Sequence, residues 1–195
     1  MIRKLIAIAL PVILLTGISF AEEETEKGVE KTEKNPIVKI ETNHGDIYFE
    51  VFLNETPIHA TNFLLKVDEK KYDGVSIHRV AKGFVIQGGD PTGKGNGSMG
   101  PERLADEKSP YPQLTGTVAM ARSGAGASNC QFYINLQDNT RLDGMNFSSF
   151  AKVIHGMDVV NKIGLVETAG PRKETPVEPV IMTKLSRVEE LPKAE

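Results

Sequence analysis

Between Pro36 and Val188 the chain breaks into eight short strand-like runs separated by turn residues, and only two stretches have helical period. Residues 37–42 and 46–51 are rich in branched and aromatic side chains, and Asn43-His44-Gly45 between them reads as a hairpin turn. Further strands are expected at 75–80, 84–87, 117–121, 131–136, 150–153 and 180–188. Thr56-Pro57 reads as an N-cap followed by proline at the first helical position, after which Ala60, Phe63, Leu64 and Val67 recur on one face. A second, shorter helix is expected over 157–163, stopped at Gly164. Many short strands with two helices suggest a closed barrel or sandwich rather than a parallel α/β sheet. A domain of about 150 residues buries roughly two-thirds of its unfolded surface, so one domain suffices.

The ends read differently. Arg3 and Lys4 precede an uncharged stretch, 5–21, that closes on Ser19-Phe20-Ala21, with small residues at the two positions a signal peptidase reads. Residues 1–21 are therefore read as a cleaved export signal, which implies a secreted or periplasmic protein, with the bacterial periplasm expected. The alternatives are an uncleaved anchor over 5–21 and a buried helix. No cysteine follows the run, which argues against a lipoprotein. Residues 22–35 form a charged linker with Val29 its one apolar side chain before Ile37, and 189–195 a flexible tail.

The full sequence of 195 residues has 23 Lys+Arg against 26 Asp+Glu, a net charge of −3 that argues against nucleic acid as partner. With one cysteine, no intramolecular disulfide and no thiolate-based zinc site can form.

Residues 88–116 lack apolar periodicity, and a loop of that length in a compact domain is usually functional. Gly88-Gly89-Asp90-Pro91-Thr92-Gly93-Lys94 matches most of a P-loop, but Gly95 stands where Ser or Thr must hold magnesium. Gly95-Asn96-Gly97-Ser98-Met99-Gly100 matches a dinucleotide fingerprint but is followed by Pro101 rather than a helix. A nucleotide or sugar-phosphate binder built on this loop is an alternative reading.

Nucleophilic chemistry finds no support, since there is no Gly-x-Ser-x-Gly elbow and Cys130 reads as a packing residue in a strand. The four histidines lack metal-ligand spacing: His44 falls in a turn, His59 and His155 on surface-facing elements, and His78 beside Arg79 on a strand. No metal and no cofactor is expected.

What remains is a set of segments: Ile77-His78-Arg79-Val80, Gly83-Phe84-Val85-Ile86-Gln87-Gly88-Gly89-Asp90, Met120-Ala121-Arg122, Ser128-Asn129-Cys130-Gln131-Phe132-Tyr133-Ile134, and Leu142-Asp143-Gly144 leading to Phe150. These resemble the cyclophilin family of peptidyl-prolyl cis-trans isomerases from about Ile37 to Val188. The resemblance implies a mainly β fold, a closed eight-stranded antiparallel barrel capped by two helices, and an enzyme that rotates X-Pro bonds in unfolded or extended polypeptides. It implies that Arg79 donates to the prolyl nitrogen and that Gln87 orients it. Phe84, Tyr133 and Leu142, with Val85, Phe132 and Phe147 nearby, would form the proline pocket. The backbone of Arg122 and the side chain of Gln131 would hold the peptide, with Gly95, Asn96 and Ala121 at the neighbouring subsite.

The sequence also departs from the family pattern. Arg141 stands where some members carry a tryptophan that contacts cyclosporin, which implies weak binding of that drug. The frequent histidine beyond Leu142 is replaced by Asn146 or Phe147, depending on the direction of alignment. Tyr133 replaces a common Phe and adds a hydroxyl that must find water or a partner. A monomer is expected, and the alternative within this fold is a non-catalytic module that grips proline-containing segments as a chaperone.

Overall fold

A computed structural model describes residues 34–123 and 126–192. The export segment expected over 1–21 and all but the last two residues of the linker lie outside the described residues.

The first hairpin pairs β1 (Ile37–Thr42) with β2 (Gly45–Val51) from Ile37↔Glu50 to Thr42↔Gly45. Helix α1 spans Pro57–Asp68 and buries Ala60, Phe63, Leu64 and Val67, the face that the spacing predicts. Its cap differs from the expected one. The Thr56 hydroxyl donates to the Phe52 carbonyl at 2.9 Å, and the first-turn amides of Ile58 and His59 donate to the Glu107 carboxylate at 2.8 and 3.1 Å. An acidic side chain brought from the long loop thus satisfies the amides that a helix start leaves unpaired. His59, expected to face the surface, is buried, and its Nε2 lies 3.1 Å from the Ala105 carbonyl.

The strand expected at 75–80 is interrupted. β3 (Val75–Ser76) pairs with the last strand and β4 (Arg79–Ala81) with β5 (Val85–Gly88), so His78 lies between two short strands rather than on one. β6 (Thr117–Ser123), β7 (Gly126–Asn135) and β8 (Ser149–His155) follow, β6 and β7 running further than the apolar runs suggest. A 3-10 turn, Thr140–Met145, precedes β8, and α2 (Met157–Gly164) follows it. β9 (Thr168–Ala169) and β10 (Thr175–Pro176) form a small separate hairpin before β11 (Ile181–Val188).

The main sheet is antiparallel, in the order β3-β11-β1-β2-β8-β6-β7-β5-β4. The expected closed eight-stranded barrel is therefore seen as a curled sheet of nine strands. Among the described residues no ladder joins β3 to β4. The core holds a cluster of rings in place of the absent tryptophan: Phe132 meets Phe49, Phe63 and Tyr72 edge-on at 6.1, 5.5 and 5.6 Å between centroids. Such T-shaped contacts set the positive edge of one ring against the negative face of another.

Strand period explains where function can sit. Val80, Ile86, Val118, Met120, Phe132 and Ile134 point into the main core. Their neighbours Ala81, Val85, Ala119 and Tyr133 form a second, smaller apolar cluster with Leu142. Four adjacent strands, β4, β5, β7 and β6, thus carry apolar side chains on both faces, and the 3-10 turn brings Leu142 onto the outer cluster.

Candidate active site

The outer cluster forms the floor of a cavity of about 150 Å³ lined by Arg79, Phe84, Val85, Gln87, Ala121, Arg122, Tyr133, Leu142 and Phe147. Residues from β4, β5, β6, β7 and the segment around the 3-10 turn converge there. The adjoining cavity is lined by Gly95, Asn96 and Gln131 together with Gln87, Ala121 and Arg122.

Phe132 belongs elsewhere. It faces inward, 1% exposed, because consecutive strand residues point to opposite faces and Tyr133 takes the outer one. Phe147 lines the cavity and meets Tyr133 edge-on at 5.9 Å, whereas Asn146 turns away in a left-handed conformation (φ 59°). Its carbonyl accepts from Arg122 Nη1 at 3.2 Å, and the Arg122 guanidinium also meets Asp106 at 2.5 Å.

Arg79 and Gln87 sit directly across the β4–β5 ladder, and Arg79 Nη1 donates to Gln87 Oε1 at 3.1 Å. Gln87 Nε2 donates to Gln131 Oε1 at 3.0 Å, and Gln131 Nε2 to the Gly97 carbonyl at 3.2 Å. Each amide uses its oxygen toward Arg79 and its NH2 toward the glycine-rich loop, so the chain of bonds has one direction. On its other side the Arg79 guanidinium donates from Nε and Nη2 to both oxygens of Glu174, at 2.8 and 3.1 Å. Nothing in the sequence pattern singles out Glu174, which lies 95 residues away in the turn before β10.

The glycine-rich loop is organised from within. Asp90, 1% exposed, accepts from the Thr92 amide and hydroxyl at 2.7 and 2.8 Å and from the Gly97 amide at 3.0 Å. Burial pushes the Asp90 carboxyl up, but these donors, the Gly97 amide foremost, hold it below the usual range. The amides that a phosphate would need already serve this carboxylate, which removes the basis of the P-loop reading. Two glycines are required here: a Cβ at Gly97 would collide with the Asp90 carboxylate, and one at Gly89 (φ 87°) with the Cys130 carbonyl. Burial likewise pushes up the Cys130 thiol, which suits a packing residue better than a nucleophile.

Behind the cavity lies a buried polar network that sequence reasoning missed. Gln113 accepts from Tyr133 Oη and Asn135 Nδ2, both at 2.9 Å, and donates to the Phe147 carbonyl at 3.1 Å and Ser149 Oγ at 3.0 Å. Tyr133 therefore finds its partner inside the protein, and burial raises its phenol well above the usual value. The only hint available in the sequence is the extra hydroxyl at position 133. Arg141 sits at the cavity rim with its guanidinium 4.9 Å from the Phe84 ring centroid.

Comparison with known proteins agrees with this geometry. A family described as cyclophilin type peptidyl-prolyl cis-trans isomerase matches residues 37–187. A peptidyl-prolyl cis-trans isomerase-like 1 of Rhizopus delemar is 42% identical over 67% of this chain and 81% of its own length. Peptidyl-prolyl cis-trans isomerase CYP18-1 of Arabidopsis thaliana is 39% identical over 77% of this chain and 93% of its own. A Cryptosporidium parvum cyclophilin-type isomerase superposes with a TM-score of 0.73 at 28% identity, covering 80% of this chain and 99% of that one. A second structure of that protein, solved in the presence of the dipeptide Ala-Pro, gives 0.68 over 79% and 99%.

Proposed function

The chain belongs to the cyclophilin-type peptidyl-prolyl cis-trans isomerases, and from that premise we propose that it acts on X-Pro bonds of extended or unfolded chains after export, with Arg79 as the catalytic residue. The reaction is rotation about a tertiary amide. Its barrier of about 18 to 20 kcal/mol comes from resonance, and unaided rotation takes tens to hundreds of seconds. No covalent bond is made or broken, so the enzyme needs only to favour the twisted amide over the planar ones.

Twisting turns the prolyl nitrogen from a conjugated centre into a pyramidal one with a lone pair. An N–H donor aimed at that lone pair stabilises the twisted state alone. Arginine suits this role because it stays protonated and presents a rigid fork of donors. The proline ring fills the cavity over Phe84, Val85, Tyr133, Leu142 and Phe147, while the Arg122 backbone and the Gln131 side chain hold the flanking peptide. Gly95, Asn96 and Ala121 border the next residue. The observation that carries this reading is the Arg79–Gln87 hydrogen bond at the edge of an apolar cavity. A module that only gripped proline would have less need of that pair.

Two finer readings accompany it. The interrupted segment 75–81, paired through β3 to β11 and through β4 to β5, acts as one strand that completes an eight-stranded barrel. The apolar run at 5–21 directs a monomeric protein to the periplasm, and Arg141 makes cyclosporin binding weak.

A protease-coupled assay on a proline tetrapeptide tests the catalytic reading. Arg79→Ala is expected to lower kcat/KM by about a hundredfold. Equal rates for the two proteins, or no turnover by the wild type, sink it. Mass spectrometry of the native N-terminus tests export, with intact Met1 as the contrary result.

A further inference from the structure

We propose that Glu174 is a positioning residue for the isomerisation, holding the Arg79 guanidinium in the orientation from which it meets the prolyl nitrogen. The inference rests on the catalytic reading of Arg79 given above.

Glu174 is delivered by its backbone before its side chain contributes anything. The chain turns at Gly170 (φ 83°) and Lys173 (φ 54°), closed by the Lys173 amide donating to the Gly170 carbonyl at 2.9 Å. Lys173 occupies the left-handed region, which a residue with a side chain enters only where the surroundings require it. The Glu174 carbonyl then accepts from the Val80 amide at 2.7 Å, and Thr175 and Pro176 pair with Ala169 and Thr168. Residue 174 is thereby pinned to Val80 of β4, the residue that follows Arg79.

From that anchor the carboxylate takes two guanidinium donors, Nε and Nη2, in a forked contact, and Gln87 takes a third from Nη1. A guanidinium has five N–H groups, so one remains on each terminal nitrogen with no protein acceptor among the described residues. Two partners on different elements fix both the plane of the group and its rotation within that plane, which Gln87 alone cannot do. The two side chains are about equally exposed, at 27% and 24%, so water reaches the pair. Hydrogen bonding to Arg79 holds the Glu174 carboxyl below the usual range, so it is an anion at neutral pH.

The carboxylate also tempers the charge that Arg79 presents to the substrate. Orientation outweighs this effect. A free arginine must immobilise a long side chain at the moment of reaction, whereas here the immobilisation is already complete. The opposite balance would make Glu174 inhibitory and removal of the carboxylate activating.

The test measures kcat and KM separately for Glu174→Gln, Glu174→Asp and Arg79→Ala, each alone, and for Glu174→Gln combined with Arg79→Ala, by exchange NMR on a proline peptide. Glu174→Gln is expected to lower kcat about tenfold with KM little changed, and Glu174→Asp to recover part of that loss. On the Arg79→Ala background the same change is expected to alter the rate less than about twofold. The Arg79 Nε–H resonance is expected to move upfield and broaden in Glu174→Gln without substrate. Wild-type or higher kcat in Glu174→Gln overturns the proposal, as does an equal loss on the Arg79→Ala background, which would mark a merely structural role. Full activity in Arg79→Ala would instead remove the catalytic reading beneath it.

Discussion

Tyr133 on β7 donates its hydroxyl to Gln113 at 2.9 Å, joining the outer wall of the cavity to the far end of the long loop. The same Gln113 oxygen accepts from Asn135, and the Gln113 amide reaches the Phe147 carbonyl and Ser149. One fully buried side chain therefore ties three segments that have no regular hydrogen-bond ladder between them.

Removing that tie should be costly. Gln113→Ala leaves several buried groups unpaired and is expected to destabilise the domain by about 3 kcal/mol, whereas Tyr133→Phe removes one donor and is expected to lose about 1 kcal/mol. Urea unfolding midpoints at constant slope measure both. Equal losses would mean that Gln113 does not act as a hub.

Asp90 is expected to behave as the internal anion of the glycine-rich loop. In Asp90→Asn the amide NH2 must face either the Gly97 amide or the Thr92 donors, a donor-donor clash that should cost about 2 kcal/mol. Because the folded carboxyl is held below 3.8, its contribution is present above that value and fades as pH falls through the lower folded value. Weaker binding of a proline peptide should accompany the loss, since Gly95 and Asn96 ride on this loop. Unchanged affinity by calorimetry would separate the loop from the site.

His78 should make the protein sensitive to mild acid. Burial holds its pKa below 6.5, with Asp90 opposing that effect and Arg79 adding to it, and neither ring nitrogen has a hydrogen-bond partner among the described residues. Below about pH 6.5 the unfolded chain binds a proton that the folded one resists, so stability falls with pH. Above that value the group contributes nothing. His78→Phe is expected to shrink the drop in Tm between about pH 7.5 and about pH 5; an undiminished drop would assign it to other groups.

Arg141 covers the Phe84 ring where a tryptophan would offer a flat apolar edge. Arg141→Trp is expected to lower the cyclosporin concentration needed for inhibition by about tenfold, and no change in that concentration would show that position 141 does not set drug affinity.

Much of the site was legible because it is local. Arg79, Phe84, Val85 and Gln87 lie on one hairpin, and a two-residue period alone places Arg79, Val85 and Gln87 on a shared face. The same rule, applied strictly, moves Phe132 to the opposite face from Tyr133, which the run of letters Gln131-Phe132-Tyr133 does not display. Helix α1 was legible in its apolar face, but its capping was not, because Glu107 arrives from 48 residues away.

The first hairpin, the two helices and the candidate pair Arg79 and Gln87 are legible in the sequence, since alternation, turn chemistry and segment resemblance are properties of neighbouring residues. Which partners complete that pair was decided by tertiary structure. Glu174 meets Arg79, and Gln113 meets Tyr133, only once the chain has folded, because a hydrogen bond reaches about 3 Å and takes no account of separation along the chain.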